Sequence, residues 1–173
     1  MNTKVLVVLS LFVAMGLALH GIIPPFFSGM KPDMMLTMMF LGILLFPHIR
    51  NVFLLGAVTG VLSGLTTGFP GGLLPNVIDK FVTAFVFYLL VIVIKKFAAS
   101  TAGAGILTAV GTLISGTVFL TAALFIVGLP GGTGFMALFI AVVLPTVALN
   151  TIAMVFIYPI VQTILKRSNI AVE

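Results

Sequence analysis

Two carboxylates, Asp33 and Asp79, stand close to lysines, in Lys31-Pro-Asp33 and in Asp79-Lys80, and the chain holds only one further acid, Glu173. A carboxylate can receive a ligand's ammonium and a lysine its carboxylate. At membrane depth such groups are costly, which makes those that persist candidates for function. Each also has a plainer role. Asp33 follows Pro32 at the start of an apolar run and can cap the orphan N–H groups there. Asp79 lies three residues after Asn76, the spacing of a capping box with Asn76 as the N-cap. Lys31 and Lys80 can snorkel to an interface, the expected role of Lys80. Capping and ligand contact are compatible, because a cap residue faces the same mouth that a ligand would enter.

Other groups fit a small ligand. The glycine loops around Gly71-Gly72 and Gly131 to Gly134, with Thr133, precede helices, and exposed N–H groups at a helix N-terminus attract anions. Phe26, Phe27 and Phe69 lie in loops, while Phe81, Phe85 and Tyr88 follow helical spacing. A flat apolar body could stack on either set, although lipid or core contact also explains the helical stripe. Pro145-Thr-Val-Ala-Leu-Asn150 sets a hydroxyl and an amide behind a helix-breaking proline. Asn150 can bond a neighbouring helix or a ligand. His20 reads as a satisfied polar residue or a gate. With two His, no Cys and three acids, no metal cage or cofactor is expected. No nucleophile and base occur at catalytic spacing, so an enzyme is not expected.

The elements that must position these residues are set by hydropathy. Sixty-one percent of the chain is hydrophobic and 6% charged. Gly, Pro and charge punctuation divide it into six apolar segments, about 4–21, 33–48, 51–67, 76–95, 103–128 and 134–162. Each approaches the ~20 residues that a helix needs to cross a bilayer. The expected fold is all-α: a single domain over 1–173, a polytopic bundle of six transmembrane helices. The first segment reads as a crossing, since no small-x-small cleavage site follows it. With the N-terminus cytoplasmic, Lys4, Arg50, Lys95, Lys96, Lys166 and Arg167 lie inside and only Lys31 and Lys80 outside. That is the positive-inside pattern and places both termini in the cytoplasm. The net charge of +5 is scattered instead of forming a basic face, so orientation explains it and nucleic acid is not an expected partner.

This orientation puts three loops rich in Gly, Pro and aromatics on the outer side. Two share a pattern, Gly68-Phe-Pro-Gly-Gly72 and Gly128-Leu-Pro-Gly-Gly132, weak support for a duplication because Pro-Gly is a common turn dipeptide. Gly56, Gly60, Gly64 and Gly68 form a small-residue ladder, and Ala104, Thr108, Thr112 and Gly116 a second. Both are expected to serve close helix packing. Ala14 and Ala18 make a shorter pair, facing a bundle neighbour or a partner helix. The sum is an outward-facing cavity with both charge signs, helix N-termini and aromatics, matching a small zwitterion with a flat apolar body.

The stretches Gly29-Met-Lys-Pro-Asp33 and Gly68-Phe-Pro-Gly-Gly-Leu-Leu-Pro-Asn-Val-Ile-Asp-Lys80, in a six-segment chain of this length, resemble the bacterial tryptophan transporter family TrpP. That family is related to the substrate-binding S subunits of energy-coupling-factor (ECF) transporters. The resemblance covers essentially the whole chain. It implies uptake of L-tryptophan across the bacterial plasma membrane, with the ligand under loops one, three and five. In related S subunits, small residues of the first helix contact the membrane coupling subunit, and Ala14 and Ala18 match that pattern. An ECF-type coupling subunit with its ATPases is therefore an implied partner. No nucleotide-binding loop occurs in this chain. The absence of Trp would suit synthesis during tryptophan scarcity.

On this reading the amino group lies near Asp33 or Asp79, the carboxylate near Lys31 or a glycine-loop helix terminus, and the indole among Phe side chains. Replacing Asp33 or Asp79 with Asn is expected to weaken binding without unfolding. The competing readings are an S subunit for another small nutrient, such as a vitamin or purine-like base, and a membrane scaffold whose ladders only pack partners.

Overall fold

The computed structural model describes residues 3–23 and 32–168. Lys31, Phe26 and Phe27 lie outside the described residues. Among the described residues the regular structure is helical. The order is α1 (Thr3–Ile22), α2 (Met34–Leu45), α3 (Ile49–Leu65), α4 (Leu73–Val93), the short α5 (Lys95–Ala98), α6 (Thr101–Ile126), the single turn α7 (Phe135–Leu138) and α8 (Leu144–Arg167). A five-residue π-helical stretch, Phe139–Val143, joins α7 to α8, so helix runs from Phe135 to Arg167.

Local chemistry sets the boundaries. α2 starts on Asp33, whose side chain accepts from the Leu36 N–H, and stops at Phe46, held at φ −136° and ψ 65° because Pro47 excludes the helical region for the residue before it. The segment expected to reach residue 48 is thus only 12 residues long, about 18 Å at 1.5 Å per residue. α3 begins on His48, and Ser100 caps α6 by accepting from the Gly103 N–H at 2.9 Å. Between α7 and α8, the wider π turns precede Pro145, which has no N–H to give to a regular helical ladder.

All 12 residues of α2 are buried. The helix sits centrally, touching α1, α3, α4, α6 and α8. Phe40 of α2 stacks on Phe87 of α4 with ring centroids 4.0 Å apart. The pair rests on Gly111 of α6, where a β-carbon would lie 2.7 Å from the Phe40 ring. Around this core the longer helices turn large apolar side chains outward: Phe125 is 81% exposed, Val93 78% and Phe156 67%. Water would not tolerate so continuous an apolar perimeter. Four helical runs, beginning at Thr3, Leu73, Thr101 and Phe135, have the length and apolarity to cross a membrane. The protein is an all-α, multi-pass membrane protein.

The glycine ladder of α3 lies against α4. A β-carbon on Gly60 would sit 3.0 Å from the Val77 α-carbon, and one on Gly64 would sit 2.8 Å from the Leu73 carbonyl oxygen. Backbones this close gain dispersion contacts that larger side chains would forbid. Gly68 departs from the expected ladder: it lies beyond the helix end, and a β-carbon there would meet nothing within 4 Å. The second ladder is buried at Ala104, Thr108 and Thr112, and Gly116 faces Val143.

Candidate binding cavity

A cavity of about 550 Å³ opens among the α1 end, the α2 start, α3, α4, α6 and the π-helical stretch. That is within the usual range for small-molecule sites. Its floor carries charge. Lys80 Nζ lies 2.9 Å from Asp33 Oδ2 and 2.7 Å from Asp79 Oδ2. Ser115 Oγ donates to Asp79 Oδ2 at 2.8 Å, and Thr83 Oγ1 donates to Asp79 Oδ1 at 2.9 Å. Asp79 is therefore fully engaged by α4 and α6, whereas Asp33 retains 25% side-chain exposure. Among the described residues, two carboxylates share one lysine, and His20 also acts electrostatically on Asp33.

Two expectations are corrected here. Lys80 does not snorkel: its side chain is 3% exposed, because two carboxylates hold the ammonium inside and supply the charge that water would otherwise balance. Asn76 and Asp79 do not form a capping box. α4 begins earlier, on Gly72, so Asn76 stands inside the first turn and its Nδ2 donates to the Gly72 carbonyl at 2.8 Å. Pro75, at the third helical position, is tolerated because first-turn N–H groups have no helical acceptor.

The remaining candidates divide between the cavity and its surroundings. Phe69 and Asn76 line it. Phe69 meets Phe119 edge to face at 5.2 Å, and both rings form the apolar wall. Gly71, Gly72 and Thr133 are not among the lining residues. Gly71 takes φ +69° in the turn before α4, Gly72 donates its N–H to the Phe69 carbonyl, and the Thr133 hydroxyl donates to the Pro130 carbonyl at 2.7 Å. Asn150 is buried behind the cavity. Its Oδ1 accepts from the Asp33 N–H at 2.8 Å, and its Nδ2 donates to Thr112 Oγ1 at 3.3 Å. One amide thus ties α8 to the mouth of α2 and to α6. Phe81 and Phe85 face Phe53 and each other, so the helical aromatic stripe lies away from the cavity. His20 lines it.

Sequence reasoning missed Thr83, Ser115, Ser63 and Phe119 as partners of this site. A signal existed for one of them. Thr108, Thr112 and Ser115 follow i, i+4, i+7 spacing on α6, a polar stripe on an otherwise apolar helix, which is more than a packing ladder requires.

Residues 2–166 match the model of a family described as tryptophan transporter TrpP. A probable tryptophan transport protein of Bacillus subtilis is 61% identical over 98% of this chain and 96% of its own length. Proteins of the same description from Clostridium acetobutylicum and Clostridium perfringens are 44% and 38% identical, each covering at least 94% of both chains. No solved structure matches. A family match over nearly the whole length, with relatives this similar end to end, places the chain in the tryptophan transporter TrpP family.

Proposed function

We propose that this protein takes up L-tryptophan across the bacterial plasma membrane, capturing it in the 550 Å³ cavity from the outer side. The observation that carries the reading is the cluster of Asp33, Asp79 and Lys80, which sets charges of both signs on the cavity floor beneath the aromatic wall of Phe69 and Phe119. A zwitterion matches both signs: its ammonium pairs with Asp33, the more accessible acid. Its carboxylate then takes a share of Lys80 or of N–H groups in the loops above, and its flat ring fills the wall. Such exchange of one ion pair for another limits the cost of desolvating the ligand's charges.

In this reading the chain crosses the membrane six times with both termini cytoplasmic, and loops one, three and five roof the cavity. Alternating exposure of the cavity releases the ligand inside. Ala14 and Ala18 are exposed on α1 beside an apolar groove between α1 and α3, which favours a helix of an ECF-type coupling subunit as a neighbour.

Titration calorimetry of the purified protein in detergent tests the assignment, using L-tryptophan, tyrosine, phenylalanine, indole and a vitamin panel. Saturable binding that prefers L-tryptophan is expected. Preference for a vitamin would make the chain an S subunit for another nutrient, and silence across the panel would favour a scaffold; either result contradicts the proposal.

A further inference from the structure

Six helical hydroxyls, those of Ser10, Thr108, Thr117, Thr146, Thr151 and Thr163, each donate to the carbonyl four residues back. This is how a membrane helix disposes of a polar side chain that has no other work. Ser63 of α3 behaves otherwise. It is 7% exposed, and its Oγ is buried with no hydrogen-bond partner. It also lines the cavity that holds Asp33, Asp79 and Lys80. A buried hydroxyl without a partner loses free energy unless something else completes it.

Its height in the cavity says what that partner is. α3 and α4 run antiparallel, with Gly64 against Leu73 and Gly60 against Val77. Ser63 therefore stands about one and a half helical turns, roughly 8 Å, nearer the mouth than Asp79 and Lys80. At that level the walls include Phe69 and Phe119. The charged ends of an amino acid are matched on the floor, so the part that reaches Ser63 is the apolar body. In tryptophan that body presents a single polar atom, the indole N–H, which is a donor. A hydroxyl oxygen can accept from it.

We infer that Ser63 accepts a hydrogen bond from the indole N–H and is the residue that separates tryptophan from ring systems lacking that donor. The inference rests on the proposed uptake of L-tryptophan and deepens it. A site built to bond an N–H rejects an isostere without one, because its own polar atom is then left unpaired.

The test compares L-tryptophan with 3-benzothienyl-L-alanine, in which sulfur replaces the N–H, in the unaltered protein, Ser63→Ala and Thr59→Val. Thr59 is the internal control: its hydroxyl is also buried and without a partner, but it does not line the cavity. The unaltered protein should prefer L-tryptophan by about tenfold or more. Ser63→Ala should lose that preference through weaker tryptophan binding, with benzothienylalanine affinity kept within about twofold, and Thr59→Val should retain it. Three results overturn the assignment alone: no preference in the unaltered protein, equal loss for both ligands in Ser63→Ala, or the same loss in Thr59→Val. Failure of the unaltered protein to bind L-tryptophan overturns the uptake proposal as well.

Discussion

Asp33 and Asp79 share one lysine, yet their environments assign them different work. Asp79 is fully buried and takes bonds from Lys80, Ser115 and Thr83. Removing its charge weakens three buried bonds at once, and a hydrogen bond to a charged group typically contributes about 1.5–3 kcal/mol. Asp79→Asn is therefore expected to lower thermal stability in detergent strongly, contrary to the expectation from sequence that it would only weaken binding. Asp79→Asn/Lys80→Met, which leaves Asp33 without its lysine, should not recover the loss; thermal unfolding of the two single variants and the double variant measures the coupling within the network. Asp33 is partly exposed and caps α2. Asn caps a helix about as well as Asp, so Asp33→Asn should keep its unfolding temperature within a few degrees while weakening L-tryptophan binding by about tenfold or more. An unchanged affinity would remove Asp33 from the site.

At the scale of elements, the helix boundaries follow from Pro47, Ser100 and the glycine turns, all visible in sequence. The depth of Lys80 was not. A lysine beside a predicted helix mouth normally reaches for water, and only the three-dimensional meeting of the α2 start with α4 brings Asp33 to it. Asn76 misled for a related reason: the capping-box pattern was present, but Gly72 began the helix one turn earlier. Ser115 and Phe119 were hidden because their partners lie 36 and 50 residues away, at Asp79 and Phe69, a separation that periodicity does not register. The α3 ladder was legible because close packing of helices leaves small residues at fixed intervals. Its limit was not, since Gly68 keeps the interval after the helix has ended. Gly64→Ala should destabilise by about 1–3 kcal/mol, because its methyl would press on the Leu73 backbone. Gly68→Ala, with open space around it, should change stability little. Equal effects in thermal unfolding would mean that the ladder does not hold α3 to α4.

For the whole molecule, the proposed orientation is open to direct labelling because the chain has no cysteine of its own. Single cysteines at the exposed positions Thr66 and Thr133 should react with a membrane-impermeant maleimide in intact cells. Cysteines at the exposed positions Lys96 and Ser168 should react only after permeabilisation. The reverse pattern would invert the protein and turn the cavity toward the cytoplasm. Orientation and charge together define how the protein would act. A central buried helix and two carboxylates around one lysine form the cavity floor under an apolar wall, and in the proposed mode the ligand's ammonium pairs with Asp33 there.

The most direct test of that claim is the affinity of the unaltered protein for L-tryptophan and for indole-3-propionate, which keeps the ring and the carboxylate but lacks the ammonium. Binding of indole-3-propionate weaker by about a hundredfold or more, the scale of a charge-assisted bond lost on the cavity floor, is the predicted result. Equal affinity for the two would contradict it, because Asp33 would then have no part in holding the substrate.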